Sequence, residues 1–162
     1  RASRYLACEI DVLREILEHM ESLDHGSDEN IVVDTTGSAI YAGEALLARL
    51  AQCATVVHLA TPPEVQALTF KAYLTNQRPV LWQDLFTKRP GESHRAALAR
   101  CYPRLLAARE QLYQHYADVT IDYYRRNQHG FGVDDFLDTI NAGKGGASSH
   151  RQNRPFQGPA TS

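Results

Sequence analysis

Three short apolar runs most constrain what this chain can fold into. Each is closed by turn-forming residues and separated from the next by stretches of helical periodicity. The runs are Ile31-Val32-Val33, Thr55-Val56-Val57-His58-Leu59 and Val119-Thr120-Ile121-Asp122. They are nearly continuous in β-branched or apolar residues, the pattern of strands buried on both faces. Between them the period changes. Leu6, Ile10, Leu13, Leu17 and Met20 recur at steps of four and three, which predicts an amphipathic helix over 3–19. Further helices are predicted over 43–52, from Thr61 to about 74, over 93–116 and over 133–141. Thr61 with Glu64 three residues on, and prolines between them, predicts a capping box at one start.

Strand alternating with helix predicts an α/β fold, a parallel sheet with helices on both faces. Ligands of such sheets sit at the carboxyl ends of the strands, so the loops after Val33, Leu59 and Ile121 are where chemistry is expected. The stretch 75–92 is polar and proline-bearing, with Arg78, Lys88 and Arg89 among Trp82 and Phe86. Its length marks it as a flap over a site. From 143 to 162 Phe156 is the lone bulky apolar residue, so this part is expected to be a disordered tail, leaving 1–142 as the folded part.

Charge and cysteine content narrow the partners. The 17 Lys and Arg against 19 Asp and Glu leave the chain without the basic excess that phosphate neutralisation along a nucleic acid needs. An anion site must therefore be local, made by a few placed arginines. Cys8, Cys53 and Cys101 are odd in number and lie among apolar neighbours, so they are expected to be reduced core residues in a cytoplasmic protein. No run approaches the ~18 apolar residues of a membrane span. The seven histidines show no metal-ligand spacing, and His58, in a core strand, is expected to be a satisfied buried side chain.

Asp34 leaves a buried run at its carboxyl end, where a carboxylate can hold magnesium or orient a nucleophile; equally, it can cap the turn that follows. The adjoining Thr35-Thr36-Gly37-Ser38 offers small side chains and close backbone approach to a polar small molecule. Arg78, Arg109, Arg125 and Arg126 stand in the flap, late in a long helix and after the third run. A guanidinium grips phosphate or carboxylate in a bidentate fork, although a lone arginine is more often simply solvated.

In this order the features resemble shikimate kinase and its relatives among the P-loop small-molecule kinases, over about residues 3–140. Tyr5-Leu6-Ala7-Cys8-Glu9 sits where that family has Phe-Arg-x-x-Glu, and Thr36-Gly37-Ser38 stands at its three loop glycines. The stretch 55–64 resembles its fourth strand and the helix that follows. Arg78-Pro79-Val80-Leu81 is similar to the lid motif Arg-Pro-Leu-Leu, Arg109 with Leu112-Tyr113 to Arg-x-x-Leu-Tyr, and 117–127 to the last strand and adenine-side loop.

The resemblance implies a three-layer α/β/α sheet of the P-loop NTPase type whose N-terminal strands, with the phosphate-binding loop, precede Arg1. It implies an ATP-dependent kinase using magnesium, transferring the γ-phosphate to a hydroxyl of a small polar acid or polyol. Arg78 would be the catalytic lid arginine over ATP, and Arg125, Arg126 and Asn127 would flank the adenine. Gly37 and Arg109 would hold the acceptor, and Asp34 would serve as metal ligand or base. The chain departs from the pattern at Leu6, where the family has a substrate-binding arginine, at Thr36 and Ser38, and at Gln128, where it often has proline. These changes point away from shikimate itself as acceptor. A non-catalytic kinase-like binding or regulatory module is the alternative.

Overall fold

A computed structural model describes residues 2–23, 31–76 and 80–147 of the 162-residue chain. Helix α1 (Ala2–Ser22) forms where the four-and-three spacing predicts it. Its inner stripe buries Leu13 and Leu17 against Ala39, in a short 3-10 turn (Ala39–Tyr41), and Leu46 of α2 (Glu44–Cys53). Glu21 of α1 pairs with Arg49 of α2 at 2.8 Å along the rim. An exposed pair of this kind adds well under about 1 kcal/mol, so the apolar stripe holds these helices together.

The second core lies around α4 (His94–Tyr116), begun by Ser93, whose side chain accepts from the Ala96 amide. Ala97, Leu98, Cys101, Tyr102 and Leu105 are buried along it, at the spacing of one helical face. Pro103 lies within α4. An internal proline costs ~3 kcal/mol, and burial of five residues on one face outweighs it. Helix α3 (Pro63–Thr75) packs across α4, with the rings of Phe70 and Tyr73 against Tyr102, and Trp82 meets Tyr102 edge-on. The expected capping box does not form: α3 starts from Pro62 without a side-chain cap, and the Thr61 hydroxyl accepts from Arg126 instead.

The three-layer α/β/α sheet is not found. The described residues are mostly helical, with 5% strand. Their sheet is one parallel pair, β1 (Val57–Leu59) beside β2 (Val119–Ile121), with Val57 opposite Val119 and Leu59 opposite Ile121. The overturned element is the first apolar run. Ile31, Val32 and Val33 lie in no strand, and Val32 is 93% exposed rather than buried on both faces. The reason is non-local: a parallel strand exists only beside a neighbour that takes its backbone bonds, and no backbone–backbone bond among the described residues involves 31–35. The cysteine expectation fails in part: Cys8 and Cys53 lie on the outer faces of helices and are exposed, and of the three only Cys101 is buried.

After β2 come α5 (Tyr123–Arg126), capped by Asp122, and α6 (Val133–Ala147), which continues past the expected end at Asn141. Helix α6 docks on β2, where a Cβ on Gly143 would collide with Cγ2 of buried Val119. Gly143→Ala is therefore expected to lift α6 off β2, overpacking of ~1–3 kcal/mol exceeding the ~1 kcal/mol gained in helix propensity. Amide exchange across α6 should quicken; unchanged exchange would count against this packing. Among the described residues no helix is long and apolar enough to cross a membrane. The expected lid arginine, Arg78, and the end of the tail, 148–162, lie outside the described residues.

Candidate functional site

The loop after Asp34 is held from two sides. From α1, Glu9 accepts from the Ser38 hydroxyl at 2.8 Å and also from the Thr36 hydroxyl. The two hydroxyls lie 2.9 Å apart, and the Ala39 amide closes the turn on the Thr36 carbonyl. From α4, the Tyr113 hydroxyl donates to the Gly37 carbonyl at 2.7 Å. Burial pushes the Tyr113 phenol up, which keeps it protonated and donating.

Arg109, one helical turn before Tyr113, completes the group. It donates through Nη2 to the Leu81 carbonyl at 3.0 Å and through Nε to the Tyr41 hydroxyl at 3.4 Å, with its guanidinium 5.4 Å from the Tyr41 ring centre. Its remaining nitrogen, Nη1, lies 3.0 Å from where a Cβ on residue 37 would stand, and the Tyr113 hydroxyl lies 3.1 Å from the same point. A side chain at this position would push Arg109 and the Tyr113 hydroxyl back by a few tenths of an ångström, so glycine gives backbone and guanidinium their closest approach. The arrangement is a polar corner of one fixed cation, one phenol and a loop whose own hydroxyls are turned away to Glu9. Such a corner can take a small anion, with the guanidinium supplying charge-assisted donors.

A second polar group lies at the carboxyl ends of β1 and β2. Nη1 of Arg126 donates to the Ala60 and Ile121 carbonyls at 2.6 and 3.1 Å, and its guanidinium sits 5.0 Å from the Tyr123 ring centre. The Asn127 side chain donates to the Tyr123 carbonyl. Both residues, expected beside adenine, thus bind backbone carbonyls. Arg125 lines a cavity of about 560 Å³ with Asp118 and Asp138, between β2 and α6. The structure therefore brings Gly37 and Arg109 together but places Arg125, Arg126 and Asn127 on separate tasks. Asp34 is exposed, and the described residues contain no cluster of three or more His, Cys, Asp or Glu able to hold a metal ion.

Residues that sequence reasoning missed are Glu9, Tyr41 and Glu110. Glu110, beside Arg109 on α4, lies 3.3 Å from Nε2 of His58, and His58 packs against Tyr113 with ring centres 5.3 Å apart. The spacing of 109, 110 and 113 on one helix was the available signal. His58 is buried as expected, but its Nδ1 has no hydrogen-bond partner. The proton therefore belongs on Nε2, facing Glu110, because an orphaned acceptor inside the protein costs less than an orphaned donor.

Burial, then nearby Arg126, lower the His58 pKa against the opposing pull of Glu110. A histidine whose folded pKa lies below its unfolded value of ~6.5 takes up protons first in the unfolded chain. Its contribution is expected to fall as pH drops through ~6.5 and to level off below the folded pKa. Denaturant midpoints at neutral and mildly acid pH should show this for the wild type and lose it in His58→Gln; an unchanged pH slope would contradict the assignment. No known protein family, curated protein or solved structure matches this chain.

Proposed function

We propose that this chain forms the acceptor-binding part of a small-molecule phosphotransferase resembling shikimate kinase, holding a small polar acid between Gly37 and Arg109. The supporting observation is the meeting of these two residues, one at a loop and one late in a helix, with Nη1 of Arg109 against the Gly37 backbone. Phosphoryl transfer is mostly positioning and electrostatic stabilisation, so a pre-placed guanidinium on the acceptor's carboxylate is the kind of part such a reaction requires. The phosphoryl donor in this reading is ATP with magnesium.

A second reading, a non-catalytic kinase-like binding module, is favoured by one specific observation: Arg126 and Asn127 are engaged with backbone carbonyls. One experiment separates the two. The chain is titrated by NMR with cyclic hydroxy acids, shikimate included, and then incubated with γ-labelled ATP, magnesium and the acid that binds. Saturable shifts at Gly37, Tyr41 and Arg109 with label transferred to the acid support the kinase reading. The same shifts without transfer support the module. Shifts elsewhere, or none, overturn the shared acceptor site.

A further inference from the structure

A second surface adjoins the loop that carries Gly37, on the side of α1. The overturned strand, 31–34, forms one wall of a groove of about 480 Å³ whose other wall is α1. Ile16, Ile31, Val32 and Val33 give the groove an apolar lining, and Glu15, His19 and Asp34 complete it. Val12 lies on the same helical face as Glu15, Ile16 and His19, and it is 54% exposed. Exposed Val32 and Val33 beside exposed Val12, with half-buried Ile31 and Ile16 between them, make a contiguous apolar patch of the kind that marks a contact surface.

Three observations define what fits there. No backbone–backbone bond among the described residues engages 31–35, so this segment offers donors and acceptors to an incoming chain. Val32, at 93% exposed, offers an apolar side chain with nothing covering it. The acids of the groove, Glu15 and Asp34, form no ion pair among the described residues. We propose that the groove between α1 and segment 31–34 is a docking site for an extended segment of a partner protein, with alternating β-branched residues and a flanking lysine or arginine. Such a segment pairs with the backbone of 31–34 by strand addition, buries Val32 and Val33, and sets its cation against Glu15 and Asp34. A helix would cover the apolar lining but leave the backbone groups unpaired.

The test uses the full chain and the synthetic peptide Lys-Val-Thr-Val-Thr-Val-Lys. On titration to millimolar peptide, saturable amide shifts are expected within 12–19 and 31–34, with slowed amide exchange at 32–34 and weaker binding as salt is raised. Val32→Asp and the double change Glu15→Lys with Asp34→Lys should each weaken binding about tenfold or more, on the scale of ~1.4 kcal/mol per tenfold. These positions are exposed, so the variants should fold, and circular dichroism checks that they do. A peptide with glutamate in place of both lysines should bind at least about tenfold more weakly. Absence of shifts, equal binding of the glutamate peptide, or shifts confined to other surfaces would overturn the proposal. So would concentration-dependent self-association through 31–34 without peptide, which would make the occupant a second copy of this chain.

Discussion

Replacing Arg109 with glutamine is expected to lower affinity for a small carboxylic acid by about 30- to 150-fold, the loss of a charge-assisted contact worth ~2–3 kcal/mol. The reasoning is geometric. Two of the three guanidinium nitrogens are anchored, on Leu81 and Tyr41, and the third faces Gly37 at the mouth of the loop. An anchored cation loses little conformational freedom when an anion arrives, so most of its charge-assisted gain appears in binding. Lysine at the same position keeps the charge but cannot reach the Leu81 carbonyl and the anion together, and should recover only part of the loss. Calorimetric titration of wild type, Arg109→Gln and Arg109→Lys with the acid found by the NMR screen decides it. Equal affinity in all three would remove Arg109 from the site. A melting temperature within a few degrees of wild type in both variants would show that the change is in binding rather than folding.

Leu105→Ala is expected to have the largest effect on stability. Leu105 is fully buried on α4, one turn before Arg109. Removing its isobutyl group leaves a cavity that the helix cannot close without moving, at a cost of about 3 kcal/mol. For a domain of this size that corresponds to a fall of roughly 6–12 °C in melting temperature. Leu68→Ala provides the contrast, because Leu68 on α3 is 62% exposed and its truncation should change stability by less than ~0.5 kcal/mol. If the two variants melted alike, the second core would not be organised around α4. Because Leu105 and Arg109 share a helix face, a loosened α4 should also blur the acceptor site, and acid affinity should weaken in Leu105→Ala even though Leu105 touches no ligand.

Much of the helical architecture is legible in the amino-acid sequence. The stripe of Leu13, Leu17 and Met20 and the long helical stretch over 93–116 are local patterns, and each produces its helix close to the predicted bounds. The approach of Gly37 to Arg109 is not legible in any local pattern, because nothing local joins a loop near residue 37 to a helix near residue 109. Glu9 is visible as a residue but not as a partner of Thr36 and Ser38, since a carboxylate on a helix surface has many places to go. The backbone contacts of Arg126 and Asn127 are not legible for a similar reason: a guanidinium and an amide suit backbone carbonyls as well as they suit a nucleotide.

By itself, then, the sequence determined where most of the helices form, which of their faces are apolar, and that the residues around 35–38 are small. A helix closes its hydrogen bonds within four residues, so its signal is carried by neighbours along the chain. Tertiary structure alone decided the fate of the three apolar runs. Two of them, 57–59 and 119–121, found each other and became β1 and β2. The third, with the same β-branched composition, found no strand beside it among the described residues and stayed unpaired on the surface, its Val32 in solvent. Strand pairing depends on partners distant in sequence, and composition cannot say whether one arrives.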